Sequence, residues 1–279
     1  MAGVITVDST DGVRLAVHEL GDPRPDARPL LLCHATGFHG RVWRALADEL
    51  PDRRCIALDF RGFGDSTEPD GPVDWHGFAD DVLAVVDALE LGPVQAVGHS
   101  KGGAAILLAE QARPGTVEAA VCFEPIVFPP FEGEPGPNPL AEVTRHRREE
   151  FGSFDEAVER FASKPPLGSL RADVLEDYVR FGFAEQSDGT VRLKARREHE
   201  AATYEAGPNH GGFRRLREVT CPVLVVHGGD GQAPAGIAPL IAAELPEGEL
   251  LAAPERGHFG PLEDPAWFAA VVRGFLDQR

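Results

Sequence analysis

A GHSKG motif at residues 98–102 lies between a segment with a strand pattern and a segment with a helix pattern. The residues before it, VQAV, predict a buried strand, and those after it, GAAILLAEQA, predict a helix. A strand that turns directly into a helix needs glycines on both sides of the turn, because side chains there would collide. Such a turn holds its central residue in a strained conformation above the sheet edge. The motif therefore predicts a nucleophile elbow with Ser100 as the nucleophile.

Strand and helix patterns alternate on both sides of this motif. Residues 4–8 and 13–19 predict a β-hairpin around the turn-forming residues 9–12. Further strand patterns lie at PLLLCH, CIALDF, VQAV and residues 117–123, 222–227 and 249–251, and helical patterns at residues 41–50, 75–91, after Ser100 and from about Pro265. Fully apolar strands separated by helices are typical of a parallel sheet that is covered on both faces. We therefore expect an α/β fold with a mostly parallel sheet.

Residues 127–216 interrupt the alternation. They begin with a Pro- and Gly-rich loop and continue with charged helical patterns around residues 142–148, 154–161 and 172–181. The segment has no strand pattern apart from a possible short pair around Asp188 and Gly189. An insertion between two sheet strands at this point predicts a helical lid over the catalytic edge, and the alternative is a separate helical domain without a role in the site. The predicted core is residues 1–126 and 217–279.

The charge of the chain limits its partners. It has 27 basic and 45 acidic residues, for a net charge of -18, which repels nucleic acids and anionic membrane surfaces. No apolar run approaches the roughly 18 residues of a membrane span, and the first residues have no signal-peptide pattern. We expect a cytoplasmic protein that acts on a small molecule. The sequence does not indicate the oligomeric state.

The cysteines and histidines do not form a metal-binding pattern. The four cysteines each lie in or beside a short apolar run, which indicates reduced core residues rather than disulfides: Cys33, Cys55, Cys122 and Cys221. The chain has no HExxH motif and no Cys or His pair with zinc-finger spacing. No metal site is therefore expected.

A serine nucleophile needs a histidine base within hydrogen-bond reach. His258 is the best candidate, because GHFGPLEDP places it in a loop between the last predicted strand and the closing helix. His34, His99 and His227 also lie at strand ends or in the elbow, but packing or loop roles are the simpler interpretation for them. The chain order of nucleophile, acid and then histidine favours His258.

Two carboxylates qualify as the acid that orients this histidine. Glu124 ends the predicted strand AAVCFE, 24 residues after Ser100, where a carboxylate would face the catalytic edge. Asp230 follows the strand PVLVVHGG in a Gly-rich stretch. Each also has a plain structural interpretation, as a capping carboxylate for Glu124 and a turn residue for Asp230. The residues alone do not decide whether Glu124 or Asp230 is the acid.

Acyl transfer also needs hydrogen-bond donors for the developing oxyanion. The HATGFHG segment follows the strand PLLLC, and its glycines let backbone amides approach the nucleophile. The expected donors are the backbone amides of Thr36 and Lys101, the latter being the residue after the nucleophile. The alternative is that HATGFHG is only a flexible loop.

Together these segments resemble the α/β-hydrolase superfamily over residues 1–126 and about 217–279. The segments that carry the resemblance are HATGFHG, LDFRGFGDS, GHSKG, VLVVHG and GHFGPLEDP. The resemblance implies an eight-stranded, mostly parallel sheet, a Ser-acid-His triad and no metal or organic cofactor. The chain departs from the common pattern because Gly231 stands where the catalytic Asp is usual, with Asp230 one residue early. Some members, including the lactone hydrolases that cleave zearalenone, place the acid after the preceding strand, and this similarity favours Glu124.

The expected function is that of a serine hydrolase for small, apolar carboxylic esters or lactones. The insert contains both tyrosines and half of the phenylalanines of the chain, which favours an apolar pocket. Hydrolysis of a carbon–carbon bond in a diketone would use the same residues. A binding protein that turns over slowly or not at all is a third possibility. Epoxide and haloalkane hydrolysis are disfavoured, because those relatives have an Asp at the position of Ser100.

Overall fold

The computed structural model describes residues 3–21, 26–130, 136–229 and 233–279. Its main feature is an eight-stranded sheet in the order β1-β2-β4-β3-β5-β6-β10-β11. These strands are β1 (Ile5–Asp8), β2 (Arg14–Leu20), β3 (Pro29–Cys33), β4 (Arg54–Leu58), β5 (Val94–His99), β6 (Val117–Phe123), β10 (Val223–Gly228) and β11 (Gly248–Ala253). β1 pairs with β2 and β2 with β4 in antiparallel fashion, whereas the other pairs are parallel. The predicted hairpin and the expected eight-stranded, mostly parallel sheet are confirmed.

Helices cover both faces of this sheet. They are α1 (Arg44–Asp48), α2 (Trp75–Ala88), α3 (Lys101–Ala112), α8 (Ala233–Glu244), α9 (Gly260–Glu263) and α10 (Pro265–Leu276). A 3-10 turn, Gly40–Trp43, precedes α1, so the helix predicted over residues 41–50 is divided in two. Among the described residues, no helix is long and apolar enough to cross a bilayer.

The sheet separates two apolar cores. Successive residues of a strand point to opposite faces, so Leu31 and Cys33 join the core beneath α2 and α3, whereas Leu30 and Leu32 join the core beneath α1 and α10. Because both faces are buried, β3 has no room for a polar side chain, which explains its continuous apolar run. The four cysteines are buried and unpaired, as expected.

The chain between β6 and β10 forms a second set of elements. It contains the helices α4 (Pro139–His146), α5 (Phe154–Ala162), α6 (Ala172–Gly182) and α7 (Arg197–Ala206), the strands β7 (Glu150–Phe151), β8 (Phe183–Glu185) and β9 (Val191–Leu193), and 3-10 turns at Leu167–Ser169, Gly207–Asn209 and Gly212–Glu218. The pair predicted around Asp188 and Gly189 is the β8-β9 hairpin. β7 extends it to a three-stranded sheet that the sequence analysis did not predict. The insert is therefore not purely helical.

Candidate active site

Ser100 lies in the turn between β5 and α3 with φ 55° and ψ -114°. This conformation is unfavourable for a residue with a side chain. The backbone holds it in place, because the Ser100 N–H donates to the carbonyl of Phe123 at 2.9 Å and the Ser100 carbonyl accepts from Ala104 at 3.2 Å. The predicted elbow is thus present, with the Ser100 residue at its apex.

The two glycines that flank Ser100 are required by close backbone contacts. A Cβ atom on Gly98 would lie 2.5 Å from the backbone nitrogen of Gly103. A Cβ atom on Gly102 would lie 2.1 Å from the carbonyl oxygen of Cys33. Both distances are far below van der Waals contact, so the turn forms only with glycine at these positions. The second contact also shows that the start of α3 packs against the end of β3.

Glu124 directly follows β6, the strand beside β5 in the sheet. It has a positive φ of 46°, and its side chain is fully buried. Its backbone N–H donates to the carbonyl of Val226 at 2.8 Å, and its Oε1 accepts from the N–H of Gly228 at 2.8 Å. A buried carboxylate is stable only when its oxygens have partners, and these bonds fix its orientation.

His258 lies between β11 and α9, and its Nδ1 is 2.5 Å from Glu124 Oε2. Its side chain is only partly buried, and its ring lies 4.8 Å from the ring of His99, the residue before Ser100. The structure thus brings His258 and Glu124 into direct contact beside the elbow. The alternative acid, Asp230, lies outside the described residues.

The three other histidines at strand ends have different surroundings. His34 is buried, its Nε2 accepts from the N–H of Phe60 at 3.0 Å, and its Nδ1 lies 2.8 Å from the carbonyl of Ala35. Burial holds the pKa of His34 and the pKa of His99 well below the usual value of histidine. His227 Nδ1 lies 2.8 Å from the carbonyl of Gly228. These contacts agree with packing and loop roles.

The two expected oxyanion donors lie on neighbouring elements. Thr36 is buried in the loop after β3, and Lys101 is the first residue of α3. Gly37, which follows Thr36, has a positive φ of 82°. Because α3 packs against the end of β3 through Gly102, the loop that carries Thr36 and the start of α3 lie at the same edge of the sheet.

The structure adds two features that the sequence analysis missed. A Cβ atom on Gly37 would lie 2.9 Å from Oε1 of Glu200, so a carboxylate of the insert reaches the loop of Thr36. Glu200 is buried and accepts two bonds from Arg147, at 3.0 and 2.5 Å. Burial raises the pKa of Glu200. The second feature is the side chain of Lys101, which is fully buried among aromatic rings.

Comparison with known proteins identifies the family of the chain. A model of the alpha/beta hydrolase family matches residues 30–271. The chain is 26% identical, over 98% of both chains, to a putative 2-succinyl-6-hydroxy-2,4-cyclohexadiene-1-carboxylate synthase of Bacillus subtilis (strain 168). It is 28% identical, over 95% of its length and 91% of the relative, to 2-hydroxymuconate semialdehyde hydrolase of Pseudomonas sp. (strain CF600).

Among solved structures, an esterase from Rhodococcus sp. ECU1013 has a TM-score of 0.73 at 24% identity, over 98% of both chains. At this identity the likeness shows the fold alone. The family model, in contrast, covers most of the chain, including the elbow, Glu124 and His258. The chain therefore belongs to the alpha/beta hydrolase family.

Proposed function

We propose that the protein is a serine hydrolase that cleaves small, apolar carboxylic esters or lactones through an acyl-enzyme on Ser100. The contact between Glu124 Oε2 and His258 Nδ1, beside the strained Ser100 turn, is the observation that carries this proposal. A serine becomes a competent nucleophile when a histidine accepts its proton and a carboxylate orients that histidine. Glu124, His258 and Ser100 provide these three groups on adjacent elements.

In the proposed mechanism Ser100 Oγ attacks the carbonyl carbon of the substrate and transfers its proton to His258 Nε2. Glu124, bound to Nδ1, stabilises the resulting imidazolium. The backbone amides of Thr36 and Lys101 donate to the oxyanion of the tetrahedral intermediate. The intermediate collapses, the leaving alkoxide takes the proton from His258, and water then cleaves the acyl-enzyme by the same steps. A lactone would give a hydroxy acid.

Aromatic packing around His258 supports an apolar substrate. Phe259 lies 5.3 Å from the His258 ring and 5.6 Å from Phe38, measured between ring centroids. Phe38 in turn lies 5.3 Å from Tyr178 of α6 in the insert. These rings join the insert to the triad loop and form an apolar environment. We therefore propose that residues 127–216 act as a lid that determines which acyl groups enter.

Labelling with a fluorophosphonate probe, together with turnover of a substrate panel, tests this function. The panel contains p-nitrophenyl esters of increasing acyl length and several lactones. We expect the wild type to be labelled and to hydrolyse at least one of these substrates, and Ser100→Ala to lose both properties. Ser187→Ala is the matched control, because Ser187 is exposed in the turn between β8 and β9. An unlabelled wild type, or a Ser100→Ala variant with full esterase activity, would refute the proposal.

Hydrolysis of a carbon–carbon bond is the second candidate. It is supported by the similarity to 2-hydroxymuconate semialdehyde hydrolase over most of the chain. The same serine, histidine and acid would serve that reaction. A vinylogous 1,5-diketone is added to the panel, and its hydrolysis is measured by the loss of its absorbance. This measurement separates ester hydrolysis from hydrolysis of a carbon–carbon bond. Turnover of the diketone well above that of every ester and lactone would favour this candidate.

A further inference from the structure

The side chain of Lys101 is an unusual component of the protein core. It is fully buried, and its Nζ lies 3.9 Å from the ring centroid of Phe63, 4.3 Å from Phe60 and 4.4 Å from Phe78. Within the part of the chain that the structure describes, this nitrogen has no hydrogen-bond partner. Three aromatic faces around an amine form an environment that favours a cation through cation–π attraction.

The carboxylates that face this amine already have other partners. Asp81 of α2 is bound to Arg61 at 2.8 Å. Asp59, after β4, pairs with His18 at 3.1 Å. Both carboxylates attract a positive charge on Lys101 through space, but neither accepts a hydrogen bond from its Nζ.

The remaining titratable neighbours belong to β3, the loop after it and α7. Glu200 of α7 is engaged by Arg147 and also attracts the amine from a distance. His34 and His199 have pKa values lowered by burial, that of His199 to about 4, so both are neutral in the alkaline range. Burial raises the pKa of the Cys33 thiol, which therefore stays protonated there. None of these neighbours gains or loses a positive charge in the alkaline range, so an alkaline change in the charge of this group would be a change at Lys101.

A buried, unbonded amine destabilises a fold. Desolvation lowers the pKa of Lys101 well below the usual value of lysine. A methionine would fill the same space without this penalty. Residues that break such a packing rule occur at functional sites more often than elsewhere. The location of Lys101 is informative, because it is the residue directly after Ser100.

We propose that the Lys101 ammonium is a positioning residue of the oxyanion hole, where it supplies a positive charge behind the backbone amide of its own residue. By ordinary bond lengths its Nζ lies at most about 6 Å from its own Cα. The inference rests on the proposed function. A charge held at this distance in a low-dielectric site attracts the oxyanion of the tetrahedral intermediate more than the neutral carbonyl of the substrate. It therefore accelerates the chemical step without tightening substrate binding.

Lys101→Met tests the inference, because methionine is unbranched and uncharged and nearly as long. We expect kcat to fall on the order of 10- to 100-fold, with KM changed less than twofold. The wild-type kcat should decline on the alkaline side at a pH below the usual range of lysine, and the variant should lack this decline. The variant should also have a higher Tm at pH 7, and the difference should narrow as the pH approaches 10. If Lys101 had only a structural role, Lys101→Met would have a lower Tm than the wild type and the same pH profile of kcat.

Two further variants keep the test decisive. Phe63→Leu removes one face of the aromatic cage but keeps the amine, so the alkaline decline of kcat should move to lower pH. Lys164→Met removes a charge from an exposed lysine and should leave kcat and its pH profile unchanged. Wild-type kcat in Lys101→Met, or an unaltered alkaline decline in that variant, overturns the inference. Both of these results require a wild type that the probe labels and that is active. A failure of the proposed function would instead appear as an unlabelled or inactive wild type.

Discussion

Ser100 and Glu124 have positive φ angles of 55° and 46°, and each directly follows a strand of the central sheet. In each case the backbone N–H continues the ladder by one more bond to the neighbouring strand, to Phe123 for Ser100 and to Val226 for Glu124. The chain then turns out of the sheet. A positive φ at a residue with a side chain costs on the order of 1–3 kcal/mol. The two residues therefore leave neighbouring strands through turns with a positive φ, which places Ser100 and the proposed acid at the same edge of the sheet.

The proposed acid leads to a prediction at this single residue. We expect Glu124→Gln to lower kcat by about 10³- to 10⁴-fold, because glutamine does not stabilise the imidazolium of His258 as a carboxylate does. The variant should fold normally, since its amide oxygen still accepts from Gly228. Steady-state turnover of the best ester or lactone measures the effect.

Asp230→Asn is the matched comparison for the acid. We expect it to keep kcat within a few-fold of the wild type. If Glu124→Gln turns over at the wild-type rate and Asp230→Asn does not, the acid is Asp230.

At the scale of elements, the junction of β5 and α3 depends on the packing of α3 against β3. Gly102→Ala would place a methyl group 2.1 Å from a backbone oxygen, which cannot move without disrupting β3. We expect a loss of more than about 3 kcal/mol in the free energy of unfolding, or no folded protein. Gly274→Ala in α10 is the control, because its Cβ would have nothing within 4 Å. It should stabilise the protein by about 0.5–1 kcal/mol in urea unfolding.

Glu200, the insert residue whose carboxylate lies beside Gly37, pairs with Arg147. Arg147→Met would leave a buried carboxylate without its cation, so we expect the free energy of unfolding to fall by about 2 kcal/mol or more. Adding Glu200→Gln should recover part of this loss, because a neutral amide is less costly to bury alone. Urea unfolding of both single variants and the double variant gives the coupling free energy between Arg147 and Glu200. Strictly additive losses would contradict a direct pair.

The sequence predicts the core elements better than the insert, for physical reasons. Strand β6 extends over Val117–Phe123, as predicted, because its apolar run has clear limits. Strand β7 has only two residues, too few for any periodicity. Helix α7 buries His199, Glu200, Ala201 and Thr203, mostly polar residues, so it lacks the apolar stripe that marks a helix.

The candidate site shows the same limit. The GHSKG motif indicates Ser100, and the loop before the closing helix together with the chain order indicates His258. For the acid, the strand end of Glu124 gives one of two candidates, and only the resemblance to the hydrolase superfamily favours it over Asp230. The aromatic cage around Lys101 joins residues of α2, α3 and the loop after β4. No local pattern shows that a lysine beside a serine turns into the core. Tertiary packing alone determines that burial.

For the whole molecule, buried histidines contribute to the way in which the free energy of unfolding depends on pH. Burial lowers the pKa of His34, His39, His99 and His199 in the folded protein. Between the lowered value and the unfolded value near 6.5, the unfolded chain binds protons that the folded chain does not. The contribution of these histidines to the free energy of unfolding therefore increases with pH through this window. It is fully present above about pH 6.5 and is lost as the pH falls.

His199 gives this effect a defined range, because its pKa is lowered to about 4. Its contribution to the pH dependence should extend from about pH 6.5 down to about pH 4, with a slope approaching 1.4 kcal/mol per pH unit. We expect His199→Asn to be destabilised at pH 7.5, where the bond from His199 to the Arg61 carbonyl is lost, but to lose less stability than the wild type on acidification. Urea unfolding at intervals between pH 7.5 and 4.5 measures both curves. His146→Gln, at an exposed histidine, is the control and should stay parallel to the wild type. A His199→Asn curve that is also parallel to the wild type would show that folding does not lower the pKa of His199.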